Sequence, residues 1–465
     1  MKLFNTFSRS MEDFKPMDGK EVKMYCCGPT VYSYAHVGNL RAYIGQDVLK
    51  KTLLRAGFKV KHVMNVTDVG HLTSDADSGE DKMLRAAERE KKNVIDLARG
   101  YEAKFFEDEQ ALRITRPDIV CRATEHIPDM IAFIERLEKL GFAYKAGGNV
   151  YFDTAKYPSY GALARTDIKN LKHGSRVAED AHKRNPTDFV LWFTTSKFEN
   201  QILQWDSPWG KGYPGWHIEC SVMSTKYLGE RIDIHCGGID HIPIHHENER
   251  AQSECCLGHK WVETWVHNDF LQLKDMKMSK SDGNIITIDV LKQKGYDPLA
   301  FRYLCLTAHY RSPLAFSFDI LDGAQNAYDN LRARVVDLRK KDEPADPARV
   351  DKIVRRFDEC LFNDVGTPQA LSVMWDALKD VATSAGTKLA ALQRMDEVLD
   401  LGTDTFREQR HALDAETEAL IAQRALARQN KDWKKSDEIR DALLAKGIVI
   451  NDLPGGKFSV EKAGN

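Results

Sequence analysis

The sequence predicts an α/β architecture: a parallel-sheet domain carrying an insertion, then an α-helical bundle, then a small and mostly helical terminal domain. Three observations predict it. Glu21 to Cys27 reads as a strand, Ile44, Val48, Leu49 and Leu53 recur at the spacing of a buried helix face, and Lys59 to Val66 alternates like a second strand. Strand, helix and strand within about 45 residues make a βαβ unit, which implies a parallel sheet with a right-handed crossover. From Asp322 onward the apolar spacing is helical. The third observation is length: 465 residues is too long for one simple core of about 100–200 residues. The boundaries expected are 1–321 for the sheet domain with an insertion at about 117–206, 322–402 for the bundle, and 403–465 for the terminal domain.

Composition narrows the class. Apolar residues make up 42% and charged residues 29% of the chain, a globular balance, and the net charge of -2 gives no overall basic field. Any contact with nucleic acid must therefore come from local patches. Nine cysteines without a regular framework spacing point to a reducing compartment and to metal or thiol chemistry. Met1 to Lys20 mixes Asp, Glu and Lys and holds no apolar core, so no signal peptide is expected. No run approaches 18 apolar residues, so no spanning segment is expected. A cytoplasmic protein follows.

Taken in order, the first helix stops near Gly57. In a parallel sheet, ligands sit beyond the carboxyl ends of strands, where Cys27 and Thr67 both fall. Between the first strand and its helix lies Ala35-His36-Val37-Gly38-Asn39. A glycine lets a base approach the backbone, and a helix amino end attracts phosphate; His36 either donates to phosphate oxygens or simply caps the helix. Asp75-x-Asp77-x-Gly79-x-Asp81 suggests a calcium loop, but the positions that need Gly and Glu hold Glu80 and Ala86. That reading is rejected. Lys82 to Leu112 is a charged helical segment expected on the surface. From Pro117 the texture changes, with an amphipathic helix at Ile127–Leu140, strand-like Asn149–Phe152, basic Lys172–Lys183 and apolar Phe189–Trp192. The basic run either touches a polyanion or is a solvated loop.

Pro214-Gly215-Trp216-His217-Ile218-Glu219-Cys220, running on to His245-His246-Glu247-Asn248-Glu249, concentrates thiol, imidazole and carboxylate. His245 and Glu249, four apart, share a helix face, and Pro243 suits the start of that helix. With Cys220 they form a sulfur, nitrogen and oxygen set that suits zinc, the fourth ligand being expected from Cys26-Cys27. A surface helix with solvated side chains competes for His-His-Glu alone; Gly237-Gly238 upstream and a buried Trp216 beside Cys220 favour the metal. Arg231–His235 reads as a short strand leading into those glycines. Lys277-Met278-Ser279-Lys280-Ser281, before Asp282-Gly283-Asn284, can clamp a polyphosphate through two mobile charges.

The helical region carries Leu331, Val335 and Leu338, a polar break at Asp342–Pro347, Ile353 and Phe357, and Ala370–Leu399. The last unit, Asp414–Val460, reads as a helix to Asn430, a second from Trp433 to Lys446, and strand-like Ile448–Ile450. Arg424, Arg428, Lys431, Lys434, Lys435 and Arg440 surround Trp433. Aromatic plus base is the composition for stacking on single-stranded RNA; a basic helical hairpin with a packed Trp is the plainer alternative.

Together these motifs resemble the cysteinyl-tRNA synthetases, a family of class I aminoacyl-tRNA synthetases, along the whole chain from Met24-Tyr25-Cys26-Cys27-Gly28-Pro29-Thr30 to Ile448-Val449-Ile450-Asn451-Asp452. His36-Val37-Gly38-Asn39 is similar to the first class signature, His-Ile-Gly-His, with Asn39 in place of the final His. Lys277–Ser281 matches the second signature. Gly366 stands before Thr367-Pro368 where the family usually has Asn. The resemblance implies a Rossmann-type catalytic domain over 1–321 and an anticodon-binding domain over 403–465. It implies one zinc held by Cys27, Cys220, His245 and Glu249, with Cys26 turned to the other side of the strand. It further implies catalytic roles for His36, Asn39, Lys277 and Lys280, and ATP contacts from His36, Gly38, Asn39, Gly238, Asp240 and Lys280 with Mg²⁺. Gly28, Thr30, Thr67 and Trp216 would surround the amino acid, and Arg428, Trp433, Asp437 and Asp452 the anticodon. The partners implied are tRNA(Cys), ATP and L-cysteine, with no membrane, and a monomer is expected.

The chemistry expected is attack of the cysteine carboxylate on the α-phosphate of ATP, then transfer to the terminal ribose of tRNA. A site built around one strong bond to the thiol can reject serine by about 10⁴–10⁵, and no segment reads as an editing domain. Two alternatives remain. One is a ligase delivering cysteine to a small amino-sugar acceptor, as in mycothiol synthesis, a relative that lacks a terminal anticodon-type domain. The other is a zinc hydrolase, which leaves Lys277–Ser281 unexplained.

Overall fold

The computed structural model describes residues 1–69, 72–74, 78–81, 93–165, 180–194, 203–274, 285–407, 415–446, 448–452 and 458–462. The chain forms two compact units, Met1–Phe406 and Arg407–Asn465. No described helix is long and apolar enough to cross a membrane.

The first unit is organised by five parallel strands in the order Val262–Asn268, Ile232–Gly238, Glu21–Cys26, Lys59–Val66, Ile119–Arg122. Strands covered on both faces need near-continuous apolar runs. Glu21–Cys26 has one, with Val22, Met24, Tyr25 and Cys26 all fully buried. The first helix, Val37–Arg55, buries Leu40, Ile44, Val48 and Leu53, and Gly57 at φ +90° turns the chain back into Lys59–Val66. Chain connections leave Glu21–Cys26 toward Lys59–Val66 on one side and return to Ile232–Gly238 on the other. The order therefore reverses between these two strands, and a crevice opens beyond their carboxyl ends. Cys26 packs in the core shared with the first helix, whereas Cys27 packs in the opposite core with Cys220. This is the two-sided arrangement expected of neighbours in a strand.

The insertion begins later than the sequence suggests. Ile119–Arg122 pairs with Val63–Val66 as the edge strand of the parallel sheet, so residue 117 does not mark a departure from it. Four residues are too short a run for periodicity to identify. Beyond Arg122, the helix Ile127–Lys139 buries Ile127, Met130, Ile134 and Leu137. A four-stranded antiparallel sheet follows, Ala143–Ala146, Asn149–Phe152, Phe189–Phe193 and Tyr213–Pro214, and it reaches past residue 206. Stacked rings join its strands, Phe152 on Phe189 at 5.0 Å and Phe193 on Tyr213 at 4.9 Å. The basic run at 172–183 lies largely outside the described residues. The charged segment expected on the surface is, where described, a helix Val94–Ala111 that buries Val94, Leu97, Tyr101 and Phe105. Glu102, Asp108 and Glu109 are buried on the same helix, and charge density alone concealed the apolar stripe.

The helical region comprises Phe318–Arg339, Pro347–Leu361, Thr367–Lys379 and Ala385–Leu399. Its junction with the first helix is ionic. Asp47 and Arg302, both fully buried, meet at 2.7 Å, while Lys51 reaches Asp47 at 2.7 Å and Asp400 at 2.8 Å. In the second unit, helices Ala415–Gln429 and Trp433–Ala445 precede an antiparallel hairpin, Ile448–Asp452 with Phe458–Lys462. Its core joins Ile439, Leu443, Ile448 and Ile450. The second strand of that hairpin was not legible in the sequence.

Candidate active site

Two helices and one strand end bring the donors together. Cys27 follows Glu21–Cys26, Cys220 lies on the helix Trp216–Leu228, and His245 and Glu249 lie one turn apart on the helix His245–Leu257. All four are buried, and their ligating atoms lie within 4.8 Å of one another. Cys27 Sγ is 4.0 Å from Cys220 Sγ and 3.8 Å from Glu249 Oε1, and His245 Nε2 is 3.0 Å from the same oxygen. Cys27, His235, His246 and Glu249 form a second such group sharing two members with the first.

Three further imidazoles surround these atoms. His246 Nε2 is 3.3 Å from Cys27 Sγ, His235 Nε2 is 2.8 Å from Glu249 Oε2, and His217 Nδ1 is 2.9 Å from His245 Nδ1. His246 Nδ1 in turn meets His267 Nε2 at 2.8 Å, and His267 Nδ1 meets the Thr6 hydroxyl at 2.8 Å. Burial alone would raise the Glu249 carboxyl, but His235 and His245 hold it well below the ordinary carboxylate range. Burial opposes a charged His245, yet Glu249 and Cys220 raise it to about 10. Burial, then His235 and His267, push His246 well down, towards its neutral form. The thiols diverge: burial and Cys220 raise Cys27, whereas Cys27 and His245 lower Cys220 against the effect of burial. A carboxylate, imidazoles and thiols gathered in one buried cluster are the donor types that a metal ion such as zinc can use.

Trp216 is half-buried rather than buried, its ring 4.2 Å from that of His245. As the first residue of its helix it covers the donor cluster on one side only. Gly28 and Thr30 are half-buried, and Thr30 bridges to Thr67 across the strand ends. Thr67 is buried and its hydroxyl donates to Glu219 Oε2 at 2.8 Å.

His36 is the N-cap of the first helix. Its Nδ1 accepts from Asn39 N–H at 3.3 Å, and Asn39 Oδ1 accepts from His36 N–H at 3.3 Å. The two readings of His36, cap and donor, are thus compatible: a ring whose Nδ1 accepts carries its proton on Nε2 when neutral. A side chain at Gly38 would start 3.0 Å from the His36 ring, so only glycine leaves that ring in place. Gly238 and Asp240 lie at the end of Ile232–Gly238, on the reversal of strand order, with Asp240 exposed. Lys277 and Lys280 lie outside the described residues.

In the second unit Trp433 is 55% exposed, so it is not packed in the small core, and the Arg428 guanidinium lies 5.5 Å over its ring. Asp437 is exposed and pairs with Arg440 at 3.1 Å. Asp452 ends the strand Ile448–Asp452 opposite Phe458. Arg424, counted from sequence in the basic face, is instead buried; its helical position, three from Ala427, puts it on the packed side.

Sequence reasoning missed His235, His267 and Asn65 as neighbours of the donors, and it left His217, Glu219 and His246 in the quoted segments without a role. A faint signal existed for His235, an imidazole flanked by Ile234 and Cys236 in a buried strand.

Known proteins share the sequence and the fold of this chain. Residues 13–326 match the family described as tRNA synthetases class I (C) catalytic domain, and residues 410–458 match the cysteinyl-tRNA ligase anticodon binding domain. A cysteine–tRNA ligase of Treponema denticola is 46% identical over 98% of this chain and 98% of its own length. Cysteine–tRNA ligase 1 of Burkholderia lata is 46% identical over 98% and 96%. In fold, the chain is similar to a Mycobacterium tuberculosis methionyl-tRNA synthetase solved with methionyl-adenylate, at a TM-score of 0.59 and 16% identity, covering 84% of this chain and 92% of that one.

Proposed function

We propose a zinc-dependent course of cysteine activation for this chain, which belongs to the cysteine–tRNA ligase family of class I aminoacyl-tRNA synthetases. The ligands are Cys27, Cys220, His245 and Glu249, one ion per chain. The observation that carries this is the convergence of those four buried donors within 4.8 Å. A tetrahedral zinc with bonds of about 2.0–2.3 Å spaces its ligand atoms about 3.3–3.8 Å apart, close to the Cys27–Cys220 and Cys27–Glu249 separations of 4.0 and 3.8 Å. This set is favoured over the one with His235 and His246 because three imidazoles left outside it then each contact one ligand. His246 supports Cys27, His217 supports His245, and His235 supports Glu249. When bound, zinc offers the substrate thiol a soft site that a serine hydroxyl matches poorly, the basis for discrimination without editing.

The remaining steps belong to the chain's own residues. Gly28, Thr30 and Thr67 form the floor of the amino-acid pocket and Trp216 its wall. His36, oriented by its Nδ1 contact with Asn39, donates from Nε2 to the phosphates. Asn39 keeps this cap where the class signature has a second His. Gly38, Gly238 and Asp240 frame ATP, which arrives with Mg²⁺. A carboxylate oxygen of cysteine attacks the α-phosphorus, pyrophosphate departs, and Lys280 with Lys277 meets the charge that grows on the phosphate oxygens. The terminal ribose hydroxyl of tRNA(Cys) then attacks the adenylate carbonyl and releases AMP. Arg428, Asp437 and Asp452 contact anticodon bases, with Trp433 as the stacking surface. The reaction belongs in the cytoplasm, where reducing conditions keep thiol ligands free.

The test is cysteine-dependent exchange of label between pyrophosphate and ATP, followed by identification of the acceptor. Exchange with transfer to tRNA is expected. Exchange with transfer only to an amino sugar would replace the tRNA reading, and no exchange would remove the activation chemistry altogether.

A further inference from the structure

The residues next to the two thiol donors are joined by a buried hydrogen-bond bridge. Gly28, which follows Cys27, donates its N–H to Asn65 Oδ1 at 2.9 Å. That contact fixes the amide of Asn65, whose Nδ2 donates to Thr67 Oγ1 at 3.1 Å. Thr67 Oγ1 passes its own proton to Glu219 Oε2 at 2.8 Å, and Glu219 precedes Cys220. Asn65, Thr67 and Glu219 are each no more than 2% exposed.

The bridge has one polarity. An amide whose oxygen accepts a backbone N–H must present nitrogen on its other side, and a hydroxyl that accepts from that nitrogen is left to donate to a carboxylate. Every donated proton in the bridge therefore points towards Glu219. The backbone is tied into the same unit. Thr67 N–H donates to Pro29 O at 3.0 Å and Val31 N–H donates to Thr67 O at 3.1 Å. A Cβ at Gly28 would stand 1.8 Å from Asn65 O, so the segment after Cys27 lies directly on the strand that carries Asn65. Cys27 and Cys220 arrive on different elements, a strand end and a helix, 193 positions apart. Nothing in either element alone fixes the distance between them.

We infer that Asn65, Thr67 and Glu219 are positioning residues that set the Cys27–Cys220 separation and so the bite offered to the metal. This rests on the zinc reading above and adds to it residues that never touch the ion. Positioned donors bind tightly because less reorganisation is needed on binding. Losing a supporting contact should therefore weaken metal binding while every ligand remains.

The test uses the full chain with Zn²⁺ and Co²⁺ as probes. Zinc affinity is read by competition with a chromogenic chelator, and ligand geometry by the visible spectrum of the cobalt-loaded protein. Glu219→Gln and Thr67→Val should each weaken zinc binding by about tenfold to a hundredfold, with a shifted cobalt d–d envelope and retained thiolate charge-transfer bands. Thr67→Ser, which keeps the hydroxyl, should restore both readouts to those of the unaltered protein. Affinity and spectrum unchanged in both Glu219→Gln and Thr67→Val, or Thr67→Ser as impaired as Thr67→Val, would overturn the inference. Failure of the unaltered protein to bind either metal is a different result, which would overturn the zinc reading on which it rests.

Discussion

His235 Nε2 lies 2.8 Å from Glu249 Oε2, leaving Oε1 of the same carboxylate 3.0 Å from His245 Nε2 and 3.8 Å from Cys27 Sγ. One oxygen is held and the other is turned to the donors, the division of labour expected of a ligating carboxylate with an outer partner. The first prediction separates ligand from support. Purified protein should contain one zinc per chain by elemental analysis. His235→Ala should retain the ion but bind it about 10- to 100-fold more weakly. Cys220→Ser should lose cysteine activation. Zinc-free protein that still activates cysteine would contradict the whole scheme.

A second prediction concerns His36 and Asn39, which cap the first helix reciprocally. Asn39→Ala removes half of that cap and should lower stability by about 1 kcal/mol, seen as a small fall in Tm. His36→Asn keeps a capping side chain but removes the Nε2 donor. Its Tm should stay close to that of the parent while the rate of pyrophosphate exchange drops. Equal losses of stability and rate in the two variants would mean that His36 serves only the helix.

Lys280 provides the third. Because it meets charge that is larger in the transition state than in bound ATP, Lys280→Ala should reduce kcat of pyrophosphate exchange by about 10²–10³, with little change in the KM for cysteine. A raised KM at unchanged kcat would assign the lysine to ground-state binding instead.

The sequence carried the parallel sheet because the βαβ unit combines two periodicities in a short span, and Glu21–Cys26, Val37–Arg55 and Lys59–Val66 stand close to where spacing put them. It was silent where runs are short. Ile119–Arg122 has four residues, and only its pairing with Val63–Val66 reveals it as part of the sheet. The four donors named from sequence converge because two of them are spaced by one helical turn. The outer imidazoles were not legible, since His217, His235 and His267 come from a helix and two separate strands and meet only after folding. Asn65 was hidden for the same reason, since it lies in no motif; Glu219 stands in the Pro214–Cys220 segment, but its bridge to Asn65 runs between strand and helix and forms only on folding.

The last prediction concerns the unit Arg407–Asn465, which is compact by itself. The residues proposed to handle free cysteine and ATP all belong to the first unit, so deletion from residue 407 should leave pyrophosphate exchange nearly intact while aminoacylation of tRNA collapses. Trp433 allows a finer test, because its exposure of 55% and the Arg428 guanidinium 5.5 Å over its ring give it a free face and little share in the small core of Ile439, Leu443, Ile448 and Ile450. Trp433→Ala should therefore leave the melting curve of the protein almost unchanged. If a base stacks on the indole, the same variant should lose about 1–3 kcal/mol of tRNA binding, measured as a rise in Kd of roughly fivefold to 150-fold. A variant that melts early would mean that the indole serves packing after all. One that folds and binds tRNA with unchanged Kd would remove Trp433 from the anticodon contact, and Arg428 would then be the residue to change next.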